Sequence, residues 1–339
     1  MKIGIMSFAH GHSISYVKLL QSIPGIKLMA ADPDFTTRPE GETGGPTLAA
    51  ELGVPYATTY AQLLAWGPDA VIVCSENMKH RADVEIAAAA GAHVLCEKPL
   101  ATTVEDARAM TAACDKAGVN LMIAHPVRFS PAVTEFNSLL SAGVLGRVRA
   151  IVGTNNGVIP RDRSWFTDAK LAGGGAIADH TVHVADIIGL LLPKAEPRSV
   201  YAQANNISGG VVDVETAGLV SITYDNGVIA TIDCSWSRPP HYPVWGGLTL
   251  DILTDKGSFR LDPFAHRIAG FTESADAVVL DYGENLDQAM LSEFLESIGR
   301  GREARPDGHE GERTAAIVEA AYRSVGRGKQ VAGLIAAAP

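Results

Sequence analysis

The sequence predicts an α/β chain: an N-terminal doubly wound parallel sheet, followed by an α+β domain with a large, mostly antiparallel open sheet. Three observations carry this expectation. The first third alternates short apolar runs with segments of helical length, the rhythm of repeated β-α units. The second half turns to strand after strand with few helices between them, which suits antiparallel pairing. At 339 residues the chain also exceeds what one core comfortably serves, so two domains are expected, 1–124 and 125–339.

Strands are expected at Ile3–Met6, Ile26–Ala31, Ala70–Cys74, His93–Cys96 and Val119–Ala124, where apolar residues run together. Between them Ser13–Ser22, Pro46–Leu52, Tyr60–Trp66, His80–Ala90 and Val104–Ala117 have helical length and are rich in Ala, Leu and Glu. Right-handed crossovers join these units into a doubly wound domain that ends near Ala124. His125-Pro126 begins a change of texture. A helix over Pro131–Ser141, the run Gly146–Gly153 and a helix over Gly173–Leu191 lead into strands at Ser199–Asn206, Glu215–Tyr224, Val228–Ser235, Leu248–Thr254 and Ser258–Leu261. Asn226-Gly227 between two of these runs is a hairpin signal. Helices over Leu286–Gly299 and Gly311–Gly326 close the second domain.

Composition excludes several classes of partner. Lys plus Arg total 28 against 38 for Asp plus Glu, a net charge of −10 that repels nucleic acid. Cys74, Cys96, Cys114 and Cys234 show no C-x-x-C spacing, so reduced thiols and no structural metal are expected. No apolar stretch approaches ~18 uninterrupted residues, and Met1-Lys2 runs straight into Ile3-Gly4-Ile5-Met6 without a signal-peptide pattern. A cytoplasmic chain with no membrane partner is the expectation.

A parallel α/β sheet binds ligands at the carboxyl ends of its strands, which makes the first β-α turn the place to look for a dinucleotide. That turn reads Ser7-Phe8-Ala9-His10-Gly11-His12-Ser13. On the G-x-G-x-x-G template the glycine positions hold Ser7, Ala9 and His12. Small residues at the first two still admit a pyrophosphate, and the following helix N-terminus favours an anion. His10 and His12 are open to two readings, donors to phosphate or ribose and caps of the helix; as metal ligands they offer two at most. Asp32 lies about twenty residues on, where a carboxylate holds ribose hydroxyls, favouring NAD, while Arg38 leaves NADP open. Ser75, Asn77 and His80 follow the next strand as further cofactor contacts, with Asn77 and His80 also readable as helix caps.

Asp179 and His183 stand four apart and share a helix face, with Asp186 continuing the stripe. A hydride leaves a carbinol carbon as its hydroxyl loses a proton, and a neutral imidazole accepts that proton near pH 7. His183 is therefore the candidate base and Asp179 its orienting carboxylate. Lys98, at a strand end, is the candidate to stabilise the alkoxide. Trp165, Arg128 and the loop Ser237-Arg238-Pro239-Pro240-His241 are candidates to grip the rest of the substrate.

Cys96-Glu97-Lys98-Pro99-Leu100, Gly173-Gly174-Gly175 and Asp179-x-x-x-His183 together resemble the Gfo/Idh/MocA family of glucose-fructose oxidoreductases and inositol dehydrogenases. The resemblance extends through Asp69–Val73, Asn77-x-x-His80, Arg128-Phe129-x-Pro131, Trp165 and Asp307–Gly311. It implies a Rossmann domain, a C-terminal domain whose open sheet forms homodimers or homotetramers, and bound NAD, with NADP not excluded. It also implies a sugar or polyol substrate, Lys98, Asp179 and His183 as the catalytic set, and Glu97 with Lys98 near the nicotinamide. This sequence departs from the family in lacking the first-loop glycines, in having Ser75-Glu76 before Asn77, and in placing His125-Pro126 and His180 where other residues are frequent; His125 and His180 become candidate substrate contacts. The competing readings are an NAD-dependent glycosidase or lyase using transient oxidation, a non-catalytic nucleotide-sensing regulator, and metal-dependent hydrolysis centred on the histidines.

Overall fold

A computed structural model describes residues 1–206, 210, 212–244, 246–271, 277–281 and 283–334. Chain contacts group into two compact units, Met1–His125 with Pro160–Gly173 and Asp287–Ala315, and Pro126–Ile159 with Gly174–Leu286 and Ala316–Pro339. A cut near residue 124 therefore bounds the first sheet, while two later segments pack with it.

The first unit is built on β1 (Lys2–Met6), α1 (His12–Gln21), β2 (Lys27–Ala31), α2 (Gly45–Glu51), β3 (Tyr56–Ala57), α3 (Tyr60–Ala65), β4 (Ala70–Val73), α4 (His80–Ala89), β5 (His93–Cys96), α5 (Val104–Ala117) and β6 (Leu121–Ile123). The sheet order is β3-β2-β1-β4-β5-β6 and every neighbouring pair is parallel. All four residues of β4 are buried, as a central strand covered on both faces requires. Thr59 and Thr103 start α3 and α5 by accepting the N–H groups of Gln62 and Asp106. Gly118 ends α5 at φ 68°, the left-handed region glycine enters without a Cβ clash. The two-residue β3 is too short to show a strand pattern, and the sequence gives no sign of it.

The second unit contains α6 (Pro131–Ser141) and β7 (Val148–Gly157); after the short α7 (Ala169–Ala172) of the first unit come α8 (Ala176–Leu191), β8 (Pro197–Asn205), β9 (Ala217–Tyr224), β10 (Ile229–Asp233), β11 (Gly246–Thr254) and β12 (Ser258–Leu261). β13 (Arg267–Phe271) pairs with β14 (Ala277–Asp281) as a separate ribbon; α9 (Leu286–Arg300) groups with the first unit from Asp287, α10 (Gly308–Arg327) with the first unit up to Ala315 and the second from Ala316, and β15 (Val331–Ala332) joins the large sheet, so the two helices do not simply close the second domain as the sequence suggests. The large sheet runs β12-β11-β7-β10-β9-β8-β15 and is antiparallel except for β7 beside β10. The hairpin turns at Gly227, φ 84°, with Tyr224 N–H donating to Val228 O. α8 lies on this sheet with Ile177, Val182, Ile187 and Ile188 packed among Ile151, Val220, Ile222, Ile232, Leu250 and Ile252. Each such side chain removed from water contributes roughly 1.5–3 kcal/mol. Alternate residues Val152, Tyr201, Leu219, Ile229 and Leu253 of the same strands stay exposed, so the other sheet face carries apolar side chains in the open. Among the described residues no helix is long and apolar enough to cross a membrane.

Candidate functional site

Because the first unit's strands are parallel, the loops after β1, β2, β4, β5 and β6 all leave one edge of the sheet. The chain turns back from β1 toward β2 on one side and toward β4 on the other, which is the crevice where such sheets bind ligands. Ser7, Ala9, His10, His12, Asp32, Ser75, Asn77, Glu97, Lys98 and His125 all follow strand ends on this edge. Among the described residues Ser7 is the one non-glycine in the left-handed region, φ 73°. The first-glycine conformation is thus kept without a glycine, at a backbone cost of about 1–2 kcal/mol. The hydroxyl of Ser7 offsets this: it donates to Asp32 Oδ1 at 3.0 Å and accepts from Ala9 N–H at 3.1 Å and Arg38 Nη2 at 2.8 Å.

Asp32 sits at the end of β2, fully inside the fold. Besides Ser7, Arg38 donates to both its oxygens at 2.9 and 2.7 Å, and Gly45 N–H donates at 2.9 Å. A carboxylate accepts about four hydrogen bonds, so protein donors fill it. Arg38 also reaches Glu76 at 3.4 Å. The carboxylate the sequence assigns to a ribose thus lies just after β2 with its acceptor positions taken by Ser7, Arg38 and Gly45.

A second cluster surrounds Glu97. Tyr16 O–H donates to Oε1 at 2.7 Å, His12 Nδ1 lies 3.0 Å from the same oxygen, and His10 Nε2 lies 3.8 Å from Oε2. Burial opposes ionisation of Glu97, but the imidazoles of His10 and His12 and the bonds from His12 and Tyr16 hold it well below the usual carboxylate range. Burial lowers and Glu97 raises the pKa of His12, and Glu97 wins. His12 N–H donates to His10 Nδ1 at 3.3 Å, so His10 also meets one of the helix N–H groups, as the capping reading expects. Lys98 is buried next to this cluster, its own N–H directed at Glu97 Oε2 at 3.2 Å, and a cis peptide joins it to Pro99.

Other expected cofactor contacts face the protein. Phe8 is wholly buried in the core. His80 places Nδ1 3.0 Å from Pro99 O and Nε2 3.1 Å from Ser75 O, tying the Lys98 segment to the loop after β4, and burial lowers its pKa so that the ring stays neutral. Asn77 donates to Ala172 O at 2.9 Å. Ser75 and His125 are buried at the ends of β4 and β6. Trp165 stacks on Phe166 with centroids 3.9 Å apart, and its indole N–H donates to Ala9 O at 3.0 Å, supporting the first loop.

In the second unit α8 begins at Ala176, later than the sequence suggests, because Gly173 adopts φ 76° as the cap of α7 and Gly174 sits at φ 154°. Neither Gly174 nor Gly175 has room for a Cβ: Tyr322 O–H fills that space at Gly174 and Glu215 O at Gly175. Glu215 accepts the N–H groups of Gly175 and Ile177 at 3.1 and 2.8 Å and the Tyr322 O–H at 2.8 Å, while Tyr322 accepts from Ala178 N–H at 3.2 Å. The N-terminal donors of a buried helix are thereby satisfied. Asp179 and His183 are buried one turn apart on α8. Trp236 indole N–H donates to Asp179 Oδ2 at 3.0 Å and His180 Nε2 lies 3.2 Å from the same oxygen. Arg128 forms a buried two-pronged pair with Asp186, at 3.1 and 2.7 Å. Tyr16, Trp236, Glu215 and Tyr322 were not singled out by sequence. Tyr16 had a signal, four residues after His12 on one helix face; the others meet their partners across 38 to 147 positions and leave no local trace.

The four cysteines are buried free thiols, and burial pushes Cys114 and Cys234 up to about 12. They behave as small hydrophobes, as their sequence context suggests.

Residues 39–125 match the family described as oxidoreductase, NAD-binding Rossmann fold, and residues 133–260 match the GFO/IDH/MocA C-terminal domain. The chain is 30% identical over 296 residues to D-xylose 1-dehydrogenase (NADP(+)) 2 of Haloferax volcanii, an alignment covering 86% of this chain and 89% of that one. It is 36% identical over 189 residues to 1,5-anhydro-D-fructose reductase of Ensifer adhaerens, covering 55% of this chain and 56% of the relative. Among solved structures, GenD2 from gentamicin A biosynthesis, in complex with NAD, has the same fold, with a TM-score of 0.86 at 24% identity over 98% of this chain and 96% of that one. A six-stranded sheet in the order 3-2-1-4-5-6, a second mixed sheet, family matches over residues 39–125 and 133–260, and 30% identity to one such enzyme across most of both chains agree: the chain belongs to the GFO/IDH/MocA family of oxidoreductases.

Proposed function

We propose that the chain is an NAD(P)-dependent dehydrogenase transferring a hydride between the nicotinamide and a secondary alcohol or carbonyl of a sugar, inositol or related polyol. The observation that carries this reading is Lys98, a buried lysine two residues after β5 on the ligand-binding edge of the first unit, in a chain whose second unit buries Asp179 and His183 on one helix face. The loop Ser7–His12, with Asp32, Ser75 and Asn77, holds the cofactor. Bound NAD(P)⁺ supplies the hydride acceptor. His183 takes the hydroxyl proton as general base. Lys98 stabilises the developing alkoxide in a site shielded from water. Asp179, fixed by Trp236 and His180, orients the substrate hydroxyls. The sugars for which the two relatives are named, a pentose and an anhydro-sugar, support the sugar class.

Purified protein with NAD⁺ or NADP⁺ and a panel of pentoses, hexoses, anhydro-sugars and inositols tests this by absorbance at the reduced-nicotinamide band. Substrate-dependent net reduction is expected for at least one class. Product formation without net reduction would identify a catalyst that recycles its cofactor, and the dehydrogenase reading would fall.

We also propose that the exposed sheet face bearing Val152, Leu219, Ile229 and Leu253 joins copies of the chain into a dimer or tetramer, since large apolar side chains left open on one sheet face suit an interface. Light scattering should give a multiple of 35.6 kDa that drops in a Leu219→Asp, Ile229→Asp variant; a monomeric wild type would refute it.

A further inference from the structure

We propose that His10, His12 and Glu97 form a binding site for one divalent transition-metal ion of the zinc class, within the first unit. As a pair the two histidines offer too few ligands, but the fold supplies a third. β1 and β5 flank β4, so the loop after β1 and the residue after β5 emerge side by side on the carboxyl edge. One ligand atom from each of the three residues lies within 4.8 Å of the others. His12 Nδ1 is 3.0 Å from Glu97 Oε1 and His10 Nε2 is 3.8 Å from Glu97 Oε2. Bonds of about 2.0–2.2 Å to a tetrahedral ion separate ligand atoms by roughly 3.3–3.6 Å; the two imidazole–carboxylate spacings, to different oxygens of Glu97, fall either side of this, and side-chain shifts within the 4.8 Å cluster bring the three ligand atoms to it.

The chemistry of the set is selective. Two imidazoles and one carboxylate suit zinc, cobalt or nickel over magnesium or calcium, which prefer all-oxygen cages. Three protein ligands leave a fourth position for water or an anionic oxygen. Glu97 is wholly buried, and Tyr16 O–H fixes it at 2.7 Å, the outer support that ligating carboxylates usually carry. Asp287, held by Ser15 at 3.1 Å, adds negative charge near His12. The His12 side chain is 43% exposed, which gives an ion a way in. Two terms oppose binding. The N-terminus of α1 repels a cation, and freeing the His10 Nε2 lone pair gives up the long 3.3 Å bond from His12 N–H to Nδ1. The first is countered by two carboxylates and the second loses a weak bond.

Tag-free protein, stripped with EDTA and dialysed, is titrated with Co²⁺ alone while the visible ligand-field absorption of a low-coordinate site is followed. One equivalent per chain is expected, with affinity falling at least about tenfold in His12→Ala, whose exposed side chain leaves the fold intact, and in Glu97→Gln. Circular dichroism and melting of each variant report folding separately. An absent band in the wild type, or an unchanged titration in folded His12→Ala, overturns the proposal. NADH binding to the EDTA-treated protein is measured in parallel, so that failure of the metal site and failure of the dinucleotide reading are told apart.

Discussion

Arg38 and Asp32 show how one side chain can reset what a recognisable neighbour does. The position of Asp32 after the second strand is readable from spacing alone, because the βαβ geometry sets how far the ribose lies from the first loop. That Arg38 fills both its oxygens is not, since the contact depends on residues 33–45 folding back so that Gly45 N–H and the guanidinium meet the same carboxylate. Removing Arg38 leaves a buried carboxylate short of its partner, which costs about 3–5 kcal/mol. Ribose hydroxyls can then donate to it, each bond to a charged acceptor being worth about 1.5–3 kcal/mol. Arg38→Ala should therefore lower the melting temperature of the free protein yet bind NAD at least about tenfold tighter, with no such gain for NADP. Thermal melting and calorimetric titration with both nucleotides check this, and weaker NAD binding would mean that Arg38 itself contacts the cofactor. Ser7 carries the same lesson: the template asks for glycine because the turn needs positive φ, and a serine accepts that conformation here because three hydrogen bonds reward its hydroxyl.

At the scale of elements, α8 is the part whose existence was legible and whose anchoring was not. Its apolar content and the Asp179–His183 spacing announce a helix. The triple glycine suggested that the helix began at Gly173, but the glycines are there for close approach. Gly174 and Gly175 make room for Tyr322 and the Glu215 backbone, which come from elements far along the chain. Tyr322 O–H bridges Glu215 and two N–H groups of the first helical turn. Tyr322→Phe leaves those donors underserved in a buried place, a loss of about 1–3 kcal/mol, and loosens the turn that carries Asp179. The variant should melt lower and turn over sugar several-fold more slowly, while its NADH dissociation constant, set in the first unit, stays at the wild-type value. Fluorescence titration beside steady-state kinetics separates these effects; unchanged turnover in a destabilised variant would make Tyr322 purely structural. The Asn226-Gly227 turn needed no such long-range information, because both of its requirements are local.

For the whole molecule, the alternation of strand and helix foretold the parallel sheet, and the later run of strands foretold the antiparallel one. Among the features that escaped that reading, three stand out. β3 spans two residues, the pair β7 and β10 runs parallel inside an otherwise antiparallel sheet, and residues 160–173 and 287–315 return to the first unit. None of these has a periodic signature, since each depends on where distant segments find apolar partners. The catalytic assignment draws on residues of both units, Lys98 in one and Asp179 and His183 in the other, and the central claim is that the proposed hydride transfer needs each of them. Single-turnover reduction of enzyme-bound nicotinamide by the best sugar substrate, compared among wild type, Lys98→Ala and His183→Ala, tests this most directly. Each variant should keep its dissociation constant for the nucleotide within about threefold, yet reduce it ~10²-fold or more slowly; wild-type rates in both folded variants would contradict the account.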